Sequence, residues 1–210
     1  MTELPALIAA FTTLFIIIDP PGLAPLFVAL TQGMNAAQRR AVALRACIIA
    51  GALMLAFLFL GEALLGFVGI TMPAFRIAGG VLLFLTALEM LFQKRQARRE
   101  DNAAEGQAEH LDDPSVFPLA LPLIVGPGAI TTIILLAGQA SSAWDFAAIA
   151  GVMAAVLVSV FLSLLVATPL DRILGKTGIN IVTRVLGMLL AALAIQFILD
   201  GIAQSFGIGA

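Results

Sequence analysis

Residues 11–31, FTTLFIIIDPPGLAPLFVALT, lie in an apolar run long enough to cross a bilayer, yet Asp19, Pro20, Pro21, Gly22 and Pro25 stand near its middle. A spanning helix normally excludes a carboxylate and a Pro-Pro-Gly breaker, because lipid satisfies neither a charge nor freed backbone groups. Composition decides whether a membrane is involved at all. Of the 210 residues, 61% are hydrophobic and 11% charged, and the mean hydropathy is +1.08. Soluble domains carry roughly 25% charged residues, so this chain cannot clothe a water-soluble globule. It reads as an integral membrane protein.

Several classes drop out. The net charge is −2 and the basic residues form no aromatic-interleaved patch, so nucleic acid has no footprint. Cys47 is the only cysteine and sits in an apolar run, which makes it a small buried hydrophobe rather than half of a disulfide. His110, the only histidine, falls in the most polar segment and reads as solvated. The spanning segments offer no Ser-His pair, no histidine cluster and no second catalytic aspartate beside Asp19. We therefore expect no enzyme, no metal and no cofactor. The first 38 residues hold no Lys or Arg, so the basic n-region of a cleaved signal peptide is missing.

Apolar runs fall at about 5–31, 42–68, 72–92, 116–140, 146–168 and 182–203, each near the roughly 20 residues that a spanning helix needs. Six spans put the loops on alternating sides. Arg39, Arg40 and Arg45 flank the first loop, Lys94, Arg95, Arg98 and Arg99 open the third, and Arg172, Lys176 and Arg184 flank the fifth. Only Arg76 is left for the other side. This asymmetry predicts a cytoplasmic 93–115 loop with both termini outside. KRQARR (94–99) reads as an interfacial anchor, and the acidic stretch after it as a solvated connector.

The chain also matches itself. Pro21-Gly22 recurs as Pro127-Gly128, 106 residues on, and Arg76 with Gly79 recurs as Arg184 with Gly187, 108 residues on. Two nearly equal offsets predict two three-span halves, 1–92 and 116–210, joined by the polar loop 93–115. Three is odd, so the second half enters the membrane from the opposite side. The fold class expected is all-α, with six transmembrane helices as two inverted-topology repeats and the first and fourth helices broken.

The breaks carry the chemistry. Proline lacks an N–H and clashes with the preceding turn, so Pro20 and Pro21 stop the first helix, and Gly22 lets a half-helix restart. Gly126, Pro127 and Gly128 repeat the device. Each restarting half-helix offers free N–H groups to an anion such as a carboxylate, with Thr131 and Thr132 as further donors. Asp19 is placed to hold a substrate ammonium group or a coupling proton; capping the restarting half-helix is the structural alternative. For Gly126–Gly128 that alternative is close helix contact. Arg76, Glu89 and Gln196 are weaker lining or coupling candidates. Arg76 pairs with Glu62 or snorkels, Glu89 forms an interfacial ion pair near Lys94 and Arg95 or relays protons, and Gln196 faces the cavity. Trp144 suits an interfacial aromatic belt.

DPPGLAP after an apolar run, FRIAGGVLLFLTALEML, PLIVGPGAITTIILLAG and the closing LAALAIQFILDGI resemble the MarC family of membrane proteins, over nearly the whole chain. The family is grouped with neutral amino acid transporters. The resemblance implies a multi-pass protein of the bacterial inner membrane that carries small neutral amino acids of the glycine or alanine kind. It also implies that Asp19, Pro20, Gly22 and Pro25, with Gly126, Pro127 and Gly128, mark the substrate-binding motifs. Position 21 is proline where the family pattern is more variable. The expected function is therefore a secondary transporter, with proton coupling as a candidate. A channel-like pore and a non-transporting scaffold or assembly protein are the alternatives. Expected partners are a small-molecule substrate and membrane lipid, with a homo-oligomer open.

Overall fold

The computed structural model describes residues 3–95, 98–99 and 113–208. His110 and the acidic stretch 100–112 lie outside these residues, as do the side chains of Arg172 and Lys176. Two helices share the first span. α1 (Leu4–Ile18) and α2 (Pro20–Leu30) meet at Asp19. α3 (Ala36–Val68) and α4 (Met72–Leu91) are continuous. α5 (Ser115–Ile124), an irregular helical stretch whose backbone is extended at Phe117 and Leu121, and α6 (Pro127–Ala137) form a pair bent by 62°. α7 (Ala143–Leu165) and α8 (Ala167–Phe206) follow. No strand occurs among the described residues. Among the described residues, five helices are long and apolar enough to cross a membrane, and the bent α5–α6 pair makes six if it is one span.

Boundaries move where polar residues can extend a helix. α3 starts at Ala36, six positions before the apolar run at 42, because Asn35 and Gln38 close a reciprocal capping box there. Arg39, Arg40 and Arg45 then continue the helix, as arginine is a good helix former. Ser142 and Asp145 cap α7 in the same way, and Thr71 caps α4. Gly69 ends α3 with φ 80°, the left-handed geometry that glycine adopts without a Cβ penalty. α8 leaves helical geometry once, at Gly175 with φ 57°, so its spanning part runs over Thr177–Phe206.

The α1–α2 span is the most buried of the set, packed by α6, α7 and α8. This places its break inside protein, the setting that irregular backbone at membrane depth requires. α4 packs along α8, and α3 against α5, α6 and α7. The outward faces carry Phe59, Phe67, Trp144, Leu189 and Leu199, all exposed, which is the surface a lipid-solvated bundle presents. Arg39 donates to the Thr168 hydroxyl at 2.8 Å and Arg45 pairs with Asp113. These contacts gather the start of α3, the entry to α5 and the start of α8 at one end of the bundle.

Candidate functional site

The first break follows from which N–H groups are missing. A continuous helix would bond the N–H of residue 21 to Ile17 O and that of residue 22 to Ile18 O. Pro21 has no N–H, and the Gly22 N–H turns instead to Asp19 Oδ1 at 3.2 Å. Asp19 is itself left-handed, φ 58° and ψ 65°, a geometry that Asp and Asn tolerate better than most side chains. One residue thus ends α1 and caps α2. The carbonyls of Ile17 and Ile18 are left without their helical partners.

Two arginines beyond α4 fill these vacancies. Arg95 donates through Nη2 to Ile17 O and through Nη1 to Met90 Sδ at 3.0 Å. Arg99 donates through Nη2 to Ile18 O at 2.9 Å, and its Nη1 pairs with Asp19 Oδ2 at 3.3 Å. Thr183 Oγ1 of α8 lies 3.5 Å from the same carboxylate oxygen, and Ser163 of α7 donates to Pro20 O at 2.9 Å. Asp19 and both arginines are buried. The planar guanidinium fork suits this double task, since it can meet a carbonyl and a carboxylate together.

Gly22 allows the arrangement. A Cβ there would lie 2.2 Å from Asp19 Oδ2 and 3.1 Å from Arg99 Nη1. Asp19 Cγ would also lie at 2.8 Å, so the carboxylate would have to shift away from Arg99 and the Gly22 N–H. We therefore expect Gly22→Ala to cost about 3 kcal/mol, the upper end of the overpacking range, read as a lowered unfolding midpoint.

The second break opens a cavity of about 320 Å³. Gly126 starts α6 without a side-chain cap, and Gly126, Pro127, Gly128 and Ala129 line the cavity. Thr86 and Glu89 of α4 and Arg95, Arg98 and Arg99 line it as well. Arg98 pairs with Glu89 Oε1 at 2.8 Å, while Glu89 Oε2 has no partner. The two breaks are neighbours: a Cβ on Gly128 would lie 3.1 Å from Ile17 Cγ2, on the last turn of α1.

The structure therefore brings together Asp19, Gly22, Gly126, Pro127, Gly128 and Glu89, in two adjoining compartments. Asp19, Pro20, Pro21, Gly22 and Pro25 do not line the cavity, and the position facing Asp19 is occupied by Arg99. Thr131 and Thr132 are buried away from it, Thr131 lying where a Cβ on Gly79 would fall and Thr132 Oγ1 without a partner. Arg76 is buried with Nε unsatisfied, and no ion pair joins it to the exposed Glu62. Gln196 is exposed and donates to Asp200 Oδ1 at 2.7 Å. Glu89 pairs with Arg98 rather than with Lys94 or Arg95. Arg95 and Arg99, read from sequence as interfacial anchors, turn inward because the first break leaves carbonyls and a carboxylate to satisfy. Their spacing, i and i+4, was the available signal, since it puts both on one face of a helical turn. Among the described residues no group of His, Cys, Asp and Glu is placed to hold a metal ion.

Apolar spans, an interior broken helix and a cavity with charged side chains in its wall at the second break define a polytopic α-helical membrane protein. The chain belongs to the MarC family: the profile described as MarC family integral membrane protein matches residues 4–206. It is 39% identical over 196 residues to a UPF0056 membrane protein of Archaeoglobus fulgidus, covering 93% of this chain and 92% of that one. It is 34% identical to the UPF0056 membrane protein YvbG of Bacillus subtilis, covering 95% of each chain. It is also 34% identical to the UPF0056 inner membrane protein YhgN of Escherichia coli strain K12, covering 93% and 95%. No solved structure matches the chain.

Proposed function

We propose that the chain is a secondary carrier for small neutral amino acids of the glycine or alanine kind, in the inner membrane. The observation that carries this reading is a cavity of about 320 Å³ at the second break, walled by charged side chains and lying against the last turn of α1 before the first break. That volume is at the small end of ligand sites, roughly 300–1,000 Å³, and suits a compact solute. The restarting end of α6 and the arginines suit a carboxylate, and Glu89 on the same wall supplies a negative charge for an ammonium group. Asp19, held by Arg99 behind the cavity, is the coupling group in this reading, and proton coupling runs through it.

Alternating access needs two related halves. Pro127 follows Pro20 by 107 residues and Ala143 follows Ala36 by 107, so α2 and α6, and α3 and α7, start in register. α2 and α6 are each 11 residues long, and α1 lies against α6, α3 against α7 and α4 against α8. This supports two inverted repeats, 1–92 and 116–210, that rock against each other. The gathering of Arg39 and Arg45 with Thr168 and Asp113 at one end of the bundle supports a cytoplasmic 93–115 segment and outer termini.

Labelled glycine and alanine uptake into proteoliposomes, with and without an imposed pH gradient, tests the reading. Saturable uptake that exchanges with unlabelled solute and rises with the gradient is expected. Non-saturable flux without exchange would leave a pore instead, and no flux across an amino-acid panel in correctly folded protein would leave a scaffold.

A further inference from the structure

Among the described residues, three guanidinium groups line the cavity and two carboxylates pair with them. Arg98 is paired with Glu89 and Arg99 with Asp19. Arg95 has neutral partners, the Ile17 carbonyl and the Met90 sulfur. It is only 7% exposed and forms part of the cavity wall. Asp19 and Glu89 are near enough to act on Arg95 through space. Each is already paired with another arginine, so the cluster keeps one cation in excess. A further negative charge offsets the desolvation cost of that buried cation.

Another part of the cavity wall offers donors for that charge. Pro127 has no N–H and Gly126 brings no capping side chain, so the first-turn amides at Gly128 and Ala129 lack a cap acceptor. The first turn of a helix also favours an anion electrostatically. Both residues border the same cavity as Arg95. The two walls belong to different elements and are short of the same thing.

We infer that this cavity is a binding site for one small monovalent anion, held between Arg95 and the first turn of α6. On the carrier reading, which supplies only the anion's identity, this makes the carboxylate end of the solute the anchor and the ammonium end secondary. A monocarboxylate without an amine therefore binds, and an amine without a carboxylate does not. Glu89 adds to the affinity of a zwitterion only once the carboxylate is seated.

The full-length purified protein in detergent tests this without any flux measurement. Unfolding midpoint and equilibrium binding are followed as sodium acetate, sodium chloride or methylammonium chloride is added, with sodium sulfate as a control at matched ionic strength. Acetate or chloride gives a saturable rise in midpoint, and methylammonium chloride adds nothing beyond sodium chloride. Arg95→Gln weakens the effect by about tenfold or more, as expected for losing a charge-assisted contact. Acetate above chloride points to a solute carboxylate, and chloride above acetate to an inorganic occupant; both support the site. Rises identical to those of sulfate, stabilisation by methylammonium itself, or unaltered binding in Arg95→Gln each overturn it. If Arg95→Gln does not fold, Leu85→Trp, at an exposed position of the cavity wall, takes its place and must abolish saturable binding. Anion binding without amino-acid exchange would overturn the carrier and leave this site standing, whereas exchange without anion binding would do the reverse.

Discussion

Asp19→Asn lowers the stability of the protein by about 3–5 kcal/mol, the range for removing one partner of a buried ion pair. The amide keeps an oxygen for the Gly22 N–H, so the α2 cap survives in the variant. What disappears is the charge opposite Arg99. Arg95 and Arg99 then stand together in the interior with only Ile17 O, Ile18 O and Met90 Sδ as partners. Adding Arg99→Gln removes one of the uncompensated charges, so the double variant recovers part of the loss. A double-mutant cycle from unfolding in mixed micelles reads the coupling directly. A single-variant loss below about 1 kcal/mol, the size of an exposed pair, would show that Asp19 and Arg99 do not hold the break closed. On the carrier reading the double variant stays inactive in glycine uptake although its fold is restored. Gradient-driven uptake by that variant would remove Asp19 from the coupling role.

Much of this architecture was legible in the chain because lipid constrains sequence so severely. The apolar runs located the spans, and Pro20, Pro21 and Gly22, with Gly126, Pro127 and Gly128, located both interruptions before any coordinates. The partners of the breaks were not legible. Lys94–Arg99 has the composition of a cytoplasmic anchor, and positive-inside statistics do not distinguish an arginine at the interface from one turned into the protein. The distinguishing fact is local: Pro21 withholds an N–H from Ile17 O, and Gly22 diverts its own to Asp19. Two carbonyls and a carboxylate at that depth demand donors from elsewhere in the chain, and Arg95 and Arg99 provide them. Sequence reads both breaks as binding motifs, with the restarting half-helices for a carboxylate and Asp19 for an ammonium group or a proton. The structure separates them, with the first filled by guanidinium groups and the second open, because α6 begins at an uncapped glycine and α2 at an aspartate that caps itself.

Gly80→Val costs about 3 kcal/mol or more, at or beyond the upper end of ordinary overpacking, because its neighbours include backbone. A Cβ at Gly80 would lie 2.8 Å from Ala194 O and 2.6 Å from Ile198 Cγ1. The contact recurs along the antiparallel α4–α8 pair: a Cβ at Gly201 would meet Pro73 O at 3.0 Å, and one at Gly187 would meet Ala87 O at 3.2 Å. Small residues let two spanning helices approach in lipid, where dispersion between them replaces the hydrophobic drive available in water. Gly79, one position earlier, is a control within the same helix. Its Cβ would meet the Thr131 methyl at 2.3 Å, a side-chain atom on α6 that can rotate away, so Gly79→Ala is the milder change. Gly80→Val instead drives α4 off α8, and α4 carries Thr86 and Glu89 on the cavity wall. Unfolding midpoints should therefore fall further for Gly80→Val than for Gly79→Ala, and anion binding at the second break should weaken with the former. Wild-type stability in Gly80→Val would mean that α4 and α8 are not locked backbone to backbone, and that the cavity wall is held by something other than this crossing.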